Sequence, residues 1–122
     1  MSTETTYEVI GAAIEVHRML GPGLLESAYE DCLAHELKLR EVPFVRQMPL
    51  PIEYKGCRLD CAYRLDLVVR REVVVEIKSV AGIDPVHEAQ ILTYMRLGDW
   101  RLDLLINFNV PVLKKGIRRF IL

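Results

Sequence analysis

The stretch "YRLDLVVRREVVVEIKSV", residues 63–80, decides the fold of this protein because it reads as two strands joined by a short charged loop. The segment "VVVEIK" is typical of a covered strand, yet Glu76 and Lys78 stand among its β-branched residues. Alternation along a strand places Glu76 and Lys78 on the same face. The two charges therefore indicate either a solvated sheet edge or a functional site.

The loop between the two strands sets which residues face each other. A three-residue loop over residues 70–72 pairs Val69 with Val73, and counting back places Asp66 opposite Glu76. A two-residue loop would instead bury the Asp66 carboxylate among apolar side chains, at a cost of several kcal/mol. We therefore predict the first register, provided that no bulge intervenes.

Two opposed carboxylates repel each other unless a positive charge lies between them. Lys78 supplies one such charge, and a divalent cation could supply the rest, since Mg²⁺ is commonly held by one or two carboxylates together with water and substrate phosphate. The competing interpretation is an exposed sheet face on which Glu76 and Lys78 form a weak surface pair, worth about 0 to 1 kcal/mol. Spacing alone leaves both interpretations open.

The rest of the chain predicts three helices and six strands. Apolar residues recur at helical spacing over about 6–20 and 25–40, on either side of Gly21-Pro22-Gly23, and a third helix opens at Asp84-Pro85 and runs to about residue 97. Strands are predicted on both sides of the turn "YKG", over 63–69, through "VVVEIK", and in "RLDLLINF" and "GIRRFIL". The order α-α-β-β-β-β-α-β-β predicts a single α/β or α+β domain over residues 1–122, built on a mixed sheet.

Composition narrows the class of protein. The net charge is −1, but residues 1–41 hold eight acids and three bases whereas residues 42–122 hold nine acids and thirteen bases. No apolar run reaches the length of a membrane span and the first residues lack a signal peptide, so we expect a cytoplasmic protein without membrane contact. The three cysteines, Cys32, Cys57 and Cys61, have neither a disulfide nor a zinc-binding spacing.

Two helices carry polar residues near the predicted strands. Gln90 and Tyr94 share a helical stripe with Val86 and Leu97, and their ordinary interpretation is half-buried packing. In the helix after the Gly-Pro-Gly break, Glu26 lies in the first turn, where the helix dipole favours an acid.

Taken together, these motifs resemble a known family. "GLLESAY", with Gly23, Glu26 and Tyr29 at the spacing G-x-x-E-x-x-Y, is similar to the signature of the GxxExxY proteins, a family within the PD-(D/E)-x-K nuclease-like superfamily. The resemblance continues in order through "YEDCLAHEL", "MPLPIEYKG", "YRLDLVV", "VVVEIKSV", "HEAQILTYMRL" and "LLINF". It implies an α/β, restriction-endonuclease-like fold with a central mixed β-sheet flanked by helices.

The resemblance also implies a site. Asp66 matches the first metal-binding acid, although Leu65 stands where the motif often has proline, and Glu76 with Lys78 matches the E-x-K. The implied function is Mg²⁺-dependent hydrolysis of phosphodiester bonds in nucleic acid, with Mn²⁺ as a substitute. The residues implied to form the site are the metal ligands Asp66, Glu76, Glu26 and the Ile77 carbonyl, and the catalytic or orienting residues Lys78, Gln90 and Tyr94.

The remaining expectations concern substrate contacts and assembly. Arg64, Arg70 and Arg71 near the hairpin are candidates for binding the nucleic-acid backbone, and the C-terminal bases are explained as well by solvated strand edges. The alternative function is a non-catalytic module that binds nucleic acid or protein and retains the nuclease fold. A homodimer is compatible with either function.

Overall fold

The computed structural model describes residues 2–122, except for the side chains of residues 2, 61 and 62. Among the described residues, none of the helices combines the length and hydropathy that a membrane span requires. The elements follow in the order α1 (Ser2–Leu20), α2 (Glu26–Leu39), β1 (Phe44–Tyr54), β2 (Cys57–Val69), β3 (Val73–Lys78), α3 (Pro85–Gly98), β4 (Leu102–Asn107), a 3₁₀ turn (Leu113–Gly116) and β5 (Ile117–Ile121).

The helices begin and end close to the predicted positions. α1 ends at Gly21-Pro22-Gly23, where Gly21 and Gly23 have φ values of +71° and +100°. Glycine adopts this left-handed region without the steric penalty of a side chain, so the break is encoded locally. α3 begins directly after Asp84, whose backbone N–H donates to His87 Nδ1 at 3.4 Å, and Pro85 occupies the first helical position.

The five strands form one mixed sheet in the order β1-β2-β3-β4-β5. β3 and β4 are parallel, and the other neighbouring pairs are antiparallel. A parallel pair needs a long crossover connection, which α3 provides. The predicted class, an α/β fold with a central mixed sheet flanked by helices, is confirmed.

Two apolar clusters cover the two faces of the sheet. The first joins α1 and α2 to one face and includes Tyr29, Leu67 and Ile77. The second joins α3 to the other face and includes Leu65, Tyr94 and Leu105. Successive residues of the buried strand β3 alternate between these clusters, which explains its nearly continuous run of valine and isoleucine.

Among the strands, the order differs from the predicted one in a single place. The residues predicted as two strands, on either side of about residue 63, form the one continuous strand β2 of 13 residues. Its pairing with β1 shifts register between Leu50 and Ile52, so an irregularity interrupts the ladder without ending the strand. The sheet therefore has five strands instead of six.

The buried stripe of α3 also differs from the predicted one. Val86 and Leu97 are 66% and 48% exposed, whereas Ile91, Tyr94 and Met95 are buried. The helix is rotated so that Tyr94 faces the sheet and Gln90 faces solvent. Although Gln90 and Tyr94 are four residues apart on the helix, only Tyr94 belongs to its buried stripe.

A glycine beside the end of β4 yields a prediction about stability. A Cβ added at Gly116 would lie 2.1 Å from the backbone oxygen of Asn107, and a backbone atom cannot move aside cheaply. We expect Gly116→Ala to lower the free energy of unfolding by about 1–3 kcal/mol, measured by urea denaturation. Gly82→Ala is the matched control because no atom lies within 4 Å of its added Cβ. Equal urea midpoints for the two variants would contradict the prediction.

Candidate active site

The β2–β3 hairpin has the predicted loop length. Val69 pairs with Val73, Val68 with Val74 and Leu67 with Val75, so the loop comprises residues 70–72. The regular ladder ends one pair before the predicted opposition of Asp66 and Glu76. The carboxylate of Asp66 therefore reaches β3 in a different way.

The alternation of β2 breaks at Asp66. Leu65 packs in the cluster beneath α3, whereas Leu67 packs in the cluster beneath α1 and α2, although regular alternation would place both on one face. Gln47 on β1 has φ +51°, and the pair that it would form with Asp66 is missing from the ladder. Freed from the regular pleat, Asp66 Oδ2 accepts a hydrogen bond of 2.8 Å from the backbone N–H of Ile77.

A buried acid on α2 holds this break in place. Glu30 is 9% exposed, and its Oε1 accepts a hydrogen bond of 2.9 Å from Gln47 Nε2. Its Oε2 accepts from Arg46 at 2.9 and 3.1 Å. Glu30 thus fixes the strand opposite Asp66, and its own charge contributes to a raised pKa of Asp66.

Glu76 and Lys78 lie at the end of β3 in contrasting environments. Glu76 is 2% exposed, and the Tyr63 hydroxyl lies 3.5 Å from its Oε1, while Oε2 has no hydrogen-bond partner. Lys78 is partly exposed, and within the described part of the chain no ion pair occupies its ammonium group. The surface ion pair between Glu76 and Lys78, which the competing interpretation of the sequence required, is absent from these residues.

Burial dominates the electrostatics of the site. Desolvation raises the pKa of Glu76 well above its ordinary value, and the charges of Asp103 and Asp66 raise it further, whereas Tyr94 and Lys78 lower it. Burial also raises the pKa of Asp66, which the hydrogen bond from Ile77 partly offsets. Such a site favours a proton or a cation on its carboxylates.

The G-x-x-E-x-x-Y residues connect α2 to the end of β3. Tyr29 is fully buried and stacks on Phe108 with 4.5 Å between ring centroids. Its hydroxyl donates to the Gly21 carbonyl at 2.5 Å and accepts from the Leu24 N–H at 3.2 Å, which fixes the loop before α2.

The loop before α2 contacts Ser79, the residue that follows Lys78. The Ser79 hydroxyl donates to the Leu24 carbonyl at 2.5 Å, and the Ser79 N–H donates to Glu26 Oε2 at 3.4 Å. Glu26 is exposed in the first turn of α2. The motif therefore places the Glu26 carboxylate next to the end of β3.

The two predicted residues of α3 lie in different environments. Tyr94 is 3% exposed, its ring stacks on that of Tyr63 with 4.6 Å between centroids, and its hydroxyl lowers the pKa of Glu76. Gln90 is exposed, and its side chain makes no hydrogen bond to the described residues.

The three arginines proposed to bind nucleic acid are also separated. Arg70 forms an ion pair with Glu8 on α1, and Arg71 is exposed in the hairpin loop, at the opposite end of β3 from Lys78; β3 is about 16 Å long. Arg64 is exposed two residues before Asp66, and it donates to the Gln47 carbonyl at 3.3 Å. Of the three, Arg64 is nearest in sequence to the proposed site.

Asp103 is a member of the cluster that sequence reasoning missed. It is fully buried on β4, and neither of its carboxylate oxygens has a hydrogen-bond partner. The signal was a lone acid in the apolar strand "RLDLLINF", the same pattern that singled out Asp66 in "YRLDLVV". Only the parallel pairing of β3 with β4 shows that this acid lies near Glu76.

The donor set fits a hard divalent cation. Asp66 and Glu76 supply two carboxylates, Glu76 Oε2 is a buried acceptor without a partner, and the Ile77 carbonyl follows Glu76 directly in the chain. Among the described side chains, no three from histidine, cysteine, aspartate and glutamate converge into a closed metal cage. Mg²⁺ does not require such a cage, because it retains waters and is held by one or two carboxylates.

Comparison with known proteins identifies the class of the chain. The family model described as PD-(D/E)XK nuclease superfamily matches residues 3–120. No curated protein and no solved structure matches the chain. Because the family model covers almost the whole sequence, the chain belongs to the PD-(D/E)XK nuclease superfamily.

Proposed function

We propose that this protein is a divalent-metal-dependent nuclease that hydrolyses phosphodiester bonds, with Mg²⁺ as its metal. The observation that carries the proposal is the meeting of Asp66, Glu76 and an unpaired Lys78 at the end of β3. Nucleases of this superfamily generally use divalent metals. We further infer that the chain is a GxxExxY member, because Tyr29 and Glu26 both act on the loop that borders this site.

In this proposal Asp66, Glu76 and the Ile77 carbonyl would hold the metal, and Glu26 would bind it directly or through water. When bound, the metal lowers the pKa of an attacking water and offsets charge on the phosphate. Lys78 donates a hydrogen bond to the water or to a phosphate oxygen, and its positive charge stabilises the developing negative charge. The raised pKa of Glu76 means that a bound metal must displace a proton from it at low pH.

The remaining residues have supporting roles. In this proposal Tyr94 orients the Glu76 carboxylate from the side of α3, and Gln90 and Arg64, which are exposed, contact a substrate phosphate. Arg71 extends the contact toward the hairpin loop. Arg70 contributes only if its ion pair with Glu8 opens.

Cleavage of single- and double-stranded DNA and RNA in Mg²⁺, Mn²⁺ and EDTA tests the proposal. We expect cleavage in either metal, none in EDTA, and a loss of at least about 10²-fold in Glu76→Gln, because the neutral amide is a poor metal ligand. Glu53→Gln, an exposed acid on β1, is the matched control and should retain the wild-type rate. Cleavage that persists in EDTA, or that Glu76→Gln leaves intact, would refute the proposal.

A non-catalytic module is the second candidate. It is favoured by the deep burial of Glu76 and by the absence of a preformed three-ligand cage among the described residues. Calorimetric titration with Mn²⁺ separates the two functions. Glu76-dependent binding without cleavage of any substrate indicates the module.

A further inference from the structure

The unpaired buried polar atoms of the described residues are concentrated in one place. Five side-chain atoms are buried without a hydrogen-bond partner, and four of them are Glu76 Oε2, the Tyr94 hydroxyl and both oxygens of Asp103. Native proteins rarely leave such atoms unpaired, and each one calls for a physical reason. Asp103 is the most extreme case because its whole carboxylate is enclosed.

The parallel strands and α3 bring these groups together. Asp103 pairs with Val74 on the neighbouring strand, and Glu76 is two residues further along the same face of β3. Tyr94 covers this face from α3, in the cluster that also holds Val74 and Leu105. Tyr63 stacks on the Tyr94 ring and limits its movement.

The single hydroxyl group of Tyr94 affects two acids, Glu76 and Asp103. The Tyr94 hydroxyl lowers the pKa of both Glu76 and Asp103, although it makes a hydrogen bond of normal geometry with neither. A tyrosine hydroxyl carries a single proton, so it can donate to only one carboxylate at a time. While both carboxylates are ionised, the arrangement thus has one shared donor and two competing acceptors.

We propose that Asp103 is a positioning residue that accepts the Tyr94 hydroxyl when Glu76 binds the divalent metal. Glu76 then needs no hydrogen bond from Tyr94, because the cation satisfies its oxygens. With Asp103 as its acceptor, the phenol is no longer a buried unpaired donor, a state that costs free energy. This inference rests on the proposed function, because it assigns a positioning residue to the same metal site.

Two replacements of Asp103 distinguish its role as a hydrogen-bond acceptor from its role as a negative charge. Asp103→Leu removes the acceptor at similar size, whereas Asp103→Asn retains a carbonyl acceptor and removes the charge. In calorimetric titration with Mn²⁺, we expect Asp103→Leu to weaken binding about tenfold and Asp103→Asn to stay within about threefold of wild type. Equal weakening by both variants, or no weakening by either, overturns the inference.

A double-mutant cycle tests whether Asp103 acts through Tyr94. In a Tyr94→Phe background, Asp103→Leu should change Mn²⁺ affinity less than about twofold, because the donor is already gone. A tenfold loss in that background would show that Asp103 acts independently of Tyr94 and would overturn the inference. Urea midpoints for Asp103→Leu no lower than wild type establish that the loss is not caused by unfolding.

A spectroscopic measurement gives a readout that does not depend on cleavage. The ¹³Cζ resonance of Tyr94, assigned by its absence in Tyr94→Phe, should move on saturation with Mg²⁺ in wild type and Asp103→Asn but not in Asp103→Leu. An unchanged resonance in Mg²⁺-loaded wild type overturns the inference while the metal site stands. A wild-type protein that binds neither Mn²⁺ nor Mg²⁺ overturns the proposed function, and the inference falls with it.

Discussion

Replacement of Lys78 with methionine is expected to reduce nucleic-acid cleavage by about 10²–10³-fold, the usual cost of removing one group that stabilises transition-state charge. Methionine preserves much of the length and apolar stem of the side chain but carries no ammonium group. Lys78 lies beside Glu76 and Asp66, and in the described part of the chain no ion pair holds it elsewhere. Its charge is therefore available to the substrate.

The measurement pairs initial cleavage rates with Mn²⁺ titration. We expect Mn²⁺ affinity to stay within about threefold of wild type, because Lys78 is not among the proposed metal ligands. Lys55→Met is the matched control, since Lys55 lies in the exposed β1–β2 turn, where its ammonium faces the Tyr54 ring. If Lys78→Met and Lys55→Met cleave at the same rate, Lys78 has no catalytic role.

The metal-free protein is expected to become more stable as the pH is lowered from 7.5 to 5.5. Burial raises the pKa of Glu76 and Asp103 well above their ordinary values, so at a pH above those values the folded state binds protons more tightly than the unfolded state does. An acid whose pKa is raised in the folded state contributes stability that grows as the pH falls through its folded pKa and is complete below its unfolded pKa. Each such group contributes up to about 1.4 kcal/mol per pH unit while it is protonated only in the folded state.

Urea denaturation in EDTA at several pH values measures this slope. Glu76→Gln removes one of the titrating groups, so its unfolding free energy should vary less steeply with pH than that of wild type. Mn²⁺ should stabilise the protein most at pH 7.5, because protons compete with the metal for the same carboxylates at lower pH. If the unfolding free energy of Glu76→Gln varies with pH as steeply as that of wild type, groups other than Glu76 cause the pH dependence.

The helices and most strand limits were predictable because their signals are local. Gly21 and Gly23 end α1 through their backbone conformation, and Asp84-Pro85 opens α3. The hairpin loop over residues 70–72 followed from the cost of burying Asp66 in the alternative register, and the observed pairing confirms it.

The positions of several site residues were not predictable from periodicity. Regular alternation placed Asp66 across from Glu76, but the break held by Gln47 and Glu30 turns the Asp66 carboxylate to the Ile77 N–H. Helical spacing grouped Gln90 with Tyr94, but the rotation of α3 exposes the first and buries the second.

The sequence by itself determined the fold class, because hydrophobic period and turn residues are local properties that survive any packing arrangement. The order of its motifs carried the resemblance to the nuclease superfamily. The tertiary structure decided which polar groups share a site. Asp103 lies 27 residues beyond Glu76 in the chain, and only the parallel pairing of β4 with β3 across α3 brings the two acids together beneath Tyr94. Such a contact depends on non-local strand pairing and helix rotation, which no short window of sequence encodes.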